Sequence, residues 1–383
     1  MALALGIGFS VSVKAAEPFT IGYLQLKKDP RYSRKRVYAR FLGHPLGRPY
    51  SAAKVALDEV EFHGAGIGVV FKLKRTRGKT VDALVKSVRE KTQNGTHFFV
   101  VDLPAADLIT LTEKTRELDV MLFNVSARDD NLRGGDCAAH ILHVIPNYAM
   151  ITDALAQFLV ARKWPKVLLL VGPKPADEQF AAAYERSAKR FGLKTVDRRD
   201  FVLGTDPRVR EKNNPALLTG GNYDVVFVAD SDGEFARGLV FRTLKPRPVV
   251  GSEGLTALAW HWAWERHGAP QLEGRFEDRA KRPMQDVDWA SWLAVKVVAT
   301  AVQRVASTDF ASLRDFIRGP DIVVDGFKGH RMNFRQWDNQ LRQPMLLGTH
   351  NWVVERAPIE GFLHQTSKLD TIGFDERETV CKM

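Results

Sequence analysis

The chain has 383 residues, of which 45% are hydrophobic, so it can form two domains and is too apolar to be disordered. Its formal net charge of +11 indicates anionic partners. It has no internal repeat of solenoid period and no low-complexity tract.

The sequence opens with an apolar run at residues 2–13, which is too short to span a bilayer. Val13 and Ala15 place small residues at alternate positions, a pattern that suits signal peptidase. We therefore predict a signal peptide at residues 1–16 and export to the periplasm. No Lys or Arg precedes Lys14, so the positively charged start of a signal peptide is missing, and a buried first strand is the alternative.

A strongly basic segment, Lys27–Arg48, follows the first predicted strand and has Asp29 as its only acid. An exported basic protein meets anionic solutes, lipid head groups or acidic partners, and we predict no nucleic-acid partner. A solvated basic loop and a binding surface both remain open for this segment.

Strands and helices alternate along the next 230 or so residues, which predicts an α/β protein. Several strands are nearly continuous apolar runs, as expected where helices cover both faces of a parallel sheet. The predicted strands are Phe19–Leu26, Gly68–Leu73, His97–Val101, Val120–Val125, His140–Ile145, Lys166–Val171, Thr195–Val202, Asp224–Val228 and Pro248–Gly251. The predicted helices are Tyr50–Glu61, Val81–Gln93, Ala105–Arg116, Tyr148–Lys163, Asp177–Phe191 and Glu234–Leu244.

After Gly251 this alternation ends. Two helices are predicted at Gly254–Arg266 and Trp289–Val305, with a Pro- and charge-rich loop at Gly268–Asp286 between them, and a short helix at Phe310–Arg318. Short strands are predicted at Ile322–Val324, Met332–Phe334, Met345–Thr349 and Trp352–Glu355, of which the last two would pair antiparallel around a turn.

The two cysteines, Cys137 and Cys381, belong to no CxxC or His-rich spacing, which argues against zinc or redox chemistry. In an exported protein the pair predicts a disulfide that ties the C-terminal tail to the body. The sequence has no GxSxG, HExxH or GxxxxGK[ST] motif, and no GxGxxG between a strand and a helix. We predict a protein that is not an enzyme and whose fold requires no cofactor.

The order of these pieces resembles the type I periplasmic binding proteins, the branched-chain amino-acid receptor group of bacterial ABC importers. The resemblance is carried by FTIGYLQL, NYAMITDALAQFLVARKWPKVLLLVG, DVVFVADSDGEFARGLVFR, VVGSEGL and DGFKGHRMNFRQWDNQLRQPMLLGTHNWV. More narrowly, AWHWAWERHGAPQLEGRF and LDTIGFDERETVC are similar to a subgroup found with PQQ-dependent alcohol dehydrogenase systems, which includes proteins implicated in lanthanide uptake.

The resemblance implies two α/β lobes, each a parallel sheet flanked by helices, joined by three crossovers. Lobe one would comprise residues 17–126 and 255–325, and lobe two residues 127–254 and 326–383. The implied function is the solute-binding component of an ABC importer, a monomer that binds a small molecule or metal complex and docks on a permease. The alternative is a non-transport accessory or sensor protein that docks on a periplasmic dehydrogenase or a membrane partner.

In amino-acid receptors of this fold, a hydroxyl-rich loop after the third strand holds the ligand carboxylate. Here that loop begins at Asp102 and has no hydroxyl, whereas the acid after the last strand of lobe two is present as Glu253. An ordinary amino-acid ligand is therefore not expected. The ligand-binding candidates at the strand ends are Gln25, Asp102, Asn124, Ser126, Arg128, Asp230, Asp232 and Glu253.

Asp102, Asp230 and Glu253 are hard oxygen donors that would suit a metal such as Ca²⁺ or a lanthanide, or a cationic group of a ligand. The alternative is that acids at strand ends form turns and cap helices. Trp260 and Trp264 would share one face of the predicted helix, where core packing and a flat wall for an aromatic ligand are both open.

Overall fold

The computed structural model describes residues 17–33, 47–204 and 206–383. The predicted signal peptide and the middle of the segment Lys27–Arg48 lie outside the described residues.

The first part of the chain forms β1 (Glu17–Leu26), α1 (Tyr50–Ala65), β2 (Val69–Gly78), α2 (Val81–Gln93), β3 (Phe98–Asp102), α3 (Ala105–Thr115), β4 (Met121–Asn124) and β5 (Ile141–His143). The next part forms α4 (Tyr148–Ala161), β6 (Lys166–Val171), α5 (Pro175–Phe191), β7 (Lys194–Asp200), α6 (Pro207–Glu211), α7 (Pro215–Leu218), β8 (Val225–Ala229) and β9 (Val249–Gly251). The last part forms β10 (Thr256–Leu258), α8 (Ala269–Ala280), α9 (Asp286–Val305), α10 (Phe310–Arg318), β11 (Val324–Asp325), β12 (Arg331–Met332), β13 (Met345–Gly348) and β14 (Val353–Ala357).

Two parallel sheets organise the fold and confirm the predicted α/β class. The first has the strand order β2-β1-β3-β4-β5 and the second β7-β6-β8-β9, with every neighbouring pair parallel. Strands β3 (FFVVD) and β8 (VVFVA) are buried along their whole length, because helices cover both faces of each sheet.

Each sheet has its own main core. Helix α9 packs on α1 and contributes Trp289, Trp292 and Val295 to the core beside the first sheet. Most of its surface is buried, which agrees with apolar residues on nearly all of its faces. Helices α4 and α5 form a separate core with the second sheet. Among the described helices, none is long and apolar enough to cross a membrane.

The division into two lobes remains a prediction. One observation concerns its first boundary, between residues 126 and 127. Strand β5 lies within the range 127–254 assigned to lobe two, yet it pairs with β4 of the first sheet. The first passage between the sheets therefore follows His143 and precedes α4.

The C-terminal part pairs as predicted. Strands β13 and β14 are antiparallel, and β10 joins them on the other side of β13. A disulfide joins Cys137 to Cys381 and confirms the predicted bridge.

Three predicted elements are wrong. The stretch Gly254–Arg266 is not a helix, because Gly254 turns the chain at a φ of +78° and residues 256–258 then pair with β13. The stretch Glu234–Leu244 keeps only a short 3-10 turn at Ala236–Gly238, at whose start Asp230 accepts the backbone amides of Phe235 and Ala236. The predicted loop Gly268–Asp286 contains α8, which starts with Pro in its first turn and buries Leu272 and Phe276 one turn apart.

Candidate functional site

The carboxyl ends of β1 and β3 form the edge of the first sheet where ligand-binding residues are predicted. Gln25 and Asp102 are neighbours there, because the two parallel strands pair in that register. Both side chains are buried, so each needs polar partners. Arginines from adjacent segments supply them.

Asp102 contacts the turn that follows β1. Its Oδ1 accepts hydrogen bonds from Arg31 Nη2 at 3.0 Å and from the Tyr32 hydroxyl at 2.9 Å. Arg31 also donates to Ser126 Oγ at 2.9 Å and to both carboxylate oxygens of Asp29. The Arg31 guanidinium therefore occupies the place where a cationic ligand group was expected, and it compensates the charge of Asp102.

Burial raises the pKa of Asp102, and the adjacent Arg31 acts in the opposite direction. Asp102 Oδ2, the Tyr23 hydroxyl and Ser291 Oγ are buried without a hydrogen-bond partner among the described residues. These three atoms come from β3, β1 and α9. Each of them can still form a hydrogen bond, in addition to the contact between Arg31 and Asp102 Oδ1.

Asn124 shapes the loop after β4. Its Oδ1 accepts from the backbone amides of Ser126 at 3.2 Å and Ala127 at 2.9 Å, and its Nδ2 donates to the Ala127 carbonyl at 2.8 Å. This turn presents Ser126 to Arg31. Of these two predicted site residues, Ser126 faces the strand-end edge, while Asn124 holds the loop.

A cavity of about 670 Å³ lies between the turn after β9 and the start of α9. Its lining includes Arg128, Glu253, Trp260, Trp262, Asp286 and His350. The segment before α9 belongs to the first core and the turn after β9 to the second sheet, so both halves of the fold contribute walls.

The cavity carries opposite charges. Arg128 Nη2 donates to Asp286 Oδ2 at 2.6 Å, and Asp286 Oδ1 accepts from the backbone amide of Trp260 at 2.9 Å. Burial and the nearby Asp230 charge raise the pKa of Glu253. Both effects disfavour the ionised form of the Glu253 carboxyl.

Asp230 and Asp232 lie beside Glu253 but serve the local structure. Asp230 Oδ1 accepts from the amides of Asp232 and Gly233, at 3.2 and 3.0 Å, and its Oδ2 accepts from those of Phe235 and Ala236, both at 2.9 Å. The Asp232 carboxylate forms an ion pair with Lys174. Asp230 is therefore a turn former, which is the alternative that the sequence left open.

A metal at Asp102, Asp230 and Glu253 stays a prediction. In the described parts of the chain, no three His, Cys, Asp or Glu side chains are placed to hold a metal ion. Asp102 Oδ1 is engaged by Arg31 and both carboxylate oxygens of Asp230 by backbone amides, whereas Asp102 Oδ2 has no hydrogen-bond partner among the described residues.

The tryptophans at positions 260, 262 and 264 serve both the core and the cavity. Trp260 and Trp264 are buried, and their indole N–H groups donate to Glu273 Oε2 at 2.8 Å and to the Phe327 carbonyl at 3.0 Å. Trp262 is 45% exposed and lies on the cavity wall. The cavity wall is therefore partly aromatic, although these tryptophans do not lie on the helix that the sequence predicted.

Four residues at the site were not predicted from the sequence: Arg31, Tyr32, Asp286 and His350. Asp29-Pro30-Arg31, which begins three residues after the end of β1, is a usable turn signal, because Asp29 caps a short 3-10 turn. Asp286 begins α9, a position that Asp favours. We find no local signal for His350.

No protein-family model matches the chain, and a comparison with curated proteins finds no match. Among solved structures the chain has the fold of the type I periplasmic binding proteins, as the sequence resemblance implied.

Three solved structures illustrate this fold. An amino-acid ABC transporter substrate-binding protein from Pseudomonas fluorescens is 15% identical, with a TM-score of 0.68 and coverage of 97% of this chain and 100% of that chain. A Desulfitobacterium hafniense substrate-binding protein in complex with Leu is 14% identical, with a TM-score of 0.65 and coverage of 89% and 99%. A Rhodopseudomonas palustris solute-binding protein in complex with 3,4-dihydroxybenzoic acid is 12% identical, with a TM-score of 0.62 and coverage of 86% and 92%.

Proposed function

We propose that this protein is a periplasmic solute-binding protein that delivers a small ligand to an ABC permease. The observation that carries the proposal is the 670 Å³ cavity, whose volume falls in the range of small-molecule sites. The solved structures that share the fold are described as binding proteins of ABC transporters, which supports a binding role rather than catalysis.

In this proposal, Trp262 offers an apolar face to the ligand, while Glu253 and Arg128 offer polar groups. Arg128 is held by Asp286, so its guanidinium is oriented before a ligand arrives. Ligand binding would draw together two lobes, with residues 17–126 and 255–325 in one and residues 127–254 and 326–383 in the other, apart from β5. Residues of both lobes would then enclose the ligand.

A narrower proposal rests on the sequence resemblance alone. It links the importer to PQQ-dependent alcohol oxidation and to lanthanide-related uptake, with a signal peptide at residues 1–16 and a monomeric mature chain. In this narrower proposal the ligand is a small molecule or a metal complex.

The first test identifies the solute. Native mass spectrometry of protein purified from its own periplasm should show a bound small molecule, which is then titrated by calorimetry. Trp262→Ala and Glu253→Gln should each weaken its binding about tenfold, equivalent to about 1.4 kcal/mol. Glu360→Gln removes an exposed acid outside this cavity and serves as the control.

Wild-type affinity in both cavity variants would contradict the proposed site. Glu253→Gln should leave the ligand-free protein equally or more stable, because burial disfavours the ionised carboxylate. Deletion of the gene should abolish uptake of the solute. Intact uptake with less assembled dehydrogenase would instead favour the accessory function.

A further inference from the structure

Three arginines lie together at the carboxyl ends of β1 and β2, and we call Arg48, Arg75 and Arg77 the arginine cluster. Arg75 and Arg77 are two residues apart on β2, so they point to the same face of the sheet, and both are exposed. Arg77 pairs in register with Gln25. Arg48 Nη1 donates to the carbonyl of Leu26, the last residue of β1, at 2.7 Å.

Uncharged groups orient two of these side chains. Arg75 donates from Nε and Nη2 to Gln25 Oε1 at 3.1 and 2.9 Å, and its guanidinium lies 4.3 Å from the centroid of the Tyr50 ring. The Arg48 guanidinium lies 5.0 Å from the centroid of the Tyr32 ring. Neutral acceptors and aromatic rings fix the position of a guanidinium without cancelling its charge.

The surroundings supply little negative charge. Within the described ranges, the ion pairs involve none of the three cluster arginines. Asp29 is the only acid in Lys27–Arg48, and its carboxylate binds Arg31. Partial burial and the like charges of Arg77 and Arg48 lower the pKa of Arg75, as expected when cations are held close to one another.

A contact between chain neighbours links the cluster to the proposed ligand cavity, because Gly47 precedes Arg48 and Arg282 precedes Pro283. Gly47 packs so tightly on the Arg282 side chain that a Cβ would not fit, and the next residue, Pro283, lines the cavity. Ligands of open α/β sheets bind outside the carboxyl ends of the strands. The cluster therefore lies at the ligand-binding edge of the first sheet.

We infer that the arginine cluster binds an anionic group of the solute, a carboxylate or a phosphate. The inference rests on the proposed function and adds that the solute carries a negative charge. Arginine suits this task, because its planar fork donates two parallel hydrogen bonds to such an anion. An anionic ligand replaces the cationic one expected from Asp102, whose charge Arg31 compensates.

The test uses citrate and inorganic phosphate as probes of the mature protein, with sodium chloride at equal ionic strength as the baseline. Calorimetry should detect binding of at least one probe. Arg77→Gln should weaken it about tenfold, or about 1.4 kcal/mol, and the double change Arg75→Gln/Arg77→Gln should weaken it further. Arg77 is the first choice because Arg75 also holds Gln25, so its loss could disturb the fold.

Lys86→Gln is the matched control, since it removes one exposed positive charge from α2, and α2 contacts β2 through Thr76, on the face opposite to Arg75 and Arg77. The inference is wrong if neither probe binds above the baseline, or if Arg77→Gln and Lys86→Gln bind equally well. A neutral or cationic solute that binds Arg77→Gln with wild-type affinity would also overturn it. That result would leave the solute-binding function standing, whereas unchanged binding in the Glu253 and Trp262 variants would count against the cavity.

Discussion

Lys328 is buried, and among the described residues it forms no ion pair with an acid. Its Nζ donates to the Ala259 carbonyl at 3.0 Å, Gln343 Oε1 at 2.8 Å and the Pro344 carbonyl at 2.9 Å, and it lies 3.7 Å from the centroid of the Trp289 ring.

Gln343 extends this network, because its Nε2 donates to the carbonyl of Val144 at 2.7 Å. Val144, Ala259 and Pro344 lie on the three stretches of chain that pass between the two main cores. Lys328 Nζ therefore connects two of the passages directly and the third through Gln343.

The stability contributed by Lys328 should depend on pH. Burial lowers its pKa well below the ordinary value, so the folded protein releases this proton at a lower pH than the unfolded chain. Between these two pKa values the unfolded state binds more protons, and rising pH favours the folded state. The free energy of unfolding of the wild type, minus that of Lys328→Met, should increase from pH 7 to pH 9 by at most about 1.4 kcal/mol per pH unit.

Urea unfolding at several pH values measures this difference. Lys79→Met removes an exposed lysine and should give a nearly constant difference from the wild type over the same range. A constant difference for Lys328→Met as well would show that burial does not shift the Lys328 titration.

At the scale of elements, local patterns succeeded where a segment carries its own boundary signals. Helix α2 was predicted with its true bounds, because Thr80 caps it and Leu84, Val85 and Val88 make one buried face. The stretch Gly254–Arg266 was wrong, because a partner strand far along the chain decided its conformation.

The C-terminal tail is held by the Cys137–Cys381 disulfide, which closes a sequence separation of 244 residues. Changing both cysteines to Ser should lower the free energy of unfolding by about 2–4 kcal/mol, because the unfolded chain gains freedom. The variant should still fold, since Asp153 also anchors the tail through Arg186 and the amide of Gly373.

Urea unfolding of the oxidised wild type, the reduced wild type and the double Ser variant makes the comparison. The reduced wild type should unfold like the variant. Equal stability of all three forms, with the bridge verified by non-reducing peptide mapping, would contradict this role for the disulfide.

For the whole molecule, two cores joined by three passages predict closure around a ligand. Small-angle scattering should give a smaller radius of gyration when the solute found by mass spectrometry saturates the protein. Glu253→Gln at the same solute concentration should remain closer to the ligand-free radius. An unchanged radius for the saturated wild type would count against closure.

The sequence by itself determined the α/β class, most strands and helices of the two parallel sheets, and the pairing of the cysteines. These features follow from apolar periodicity, turn residues and redox context, which act over short stretches or need only composition. Only the tertiary structure decided the site. Arg31 meets Asp102 across 71 residues and Arg128 meets Asp286 across 158, so neither pairing leaves a local trace. The sequence around a strand-end carboxylate does not show whether that carboxylate binds a ligand, pairs with an arginine or caps a turn. The reason is that the folded chain determines which groups come within hydrogen-bond distance of it.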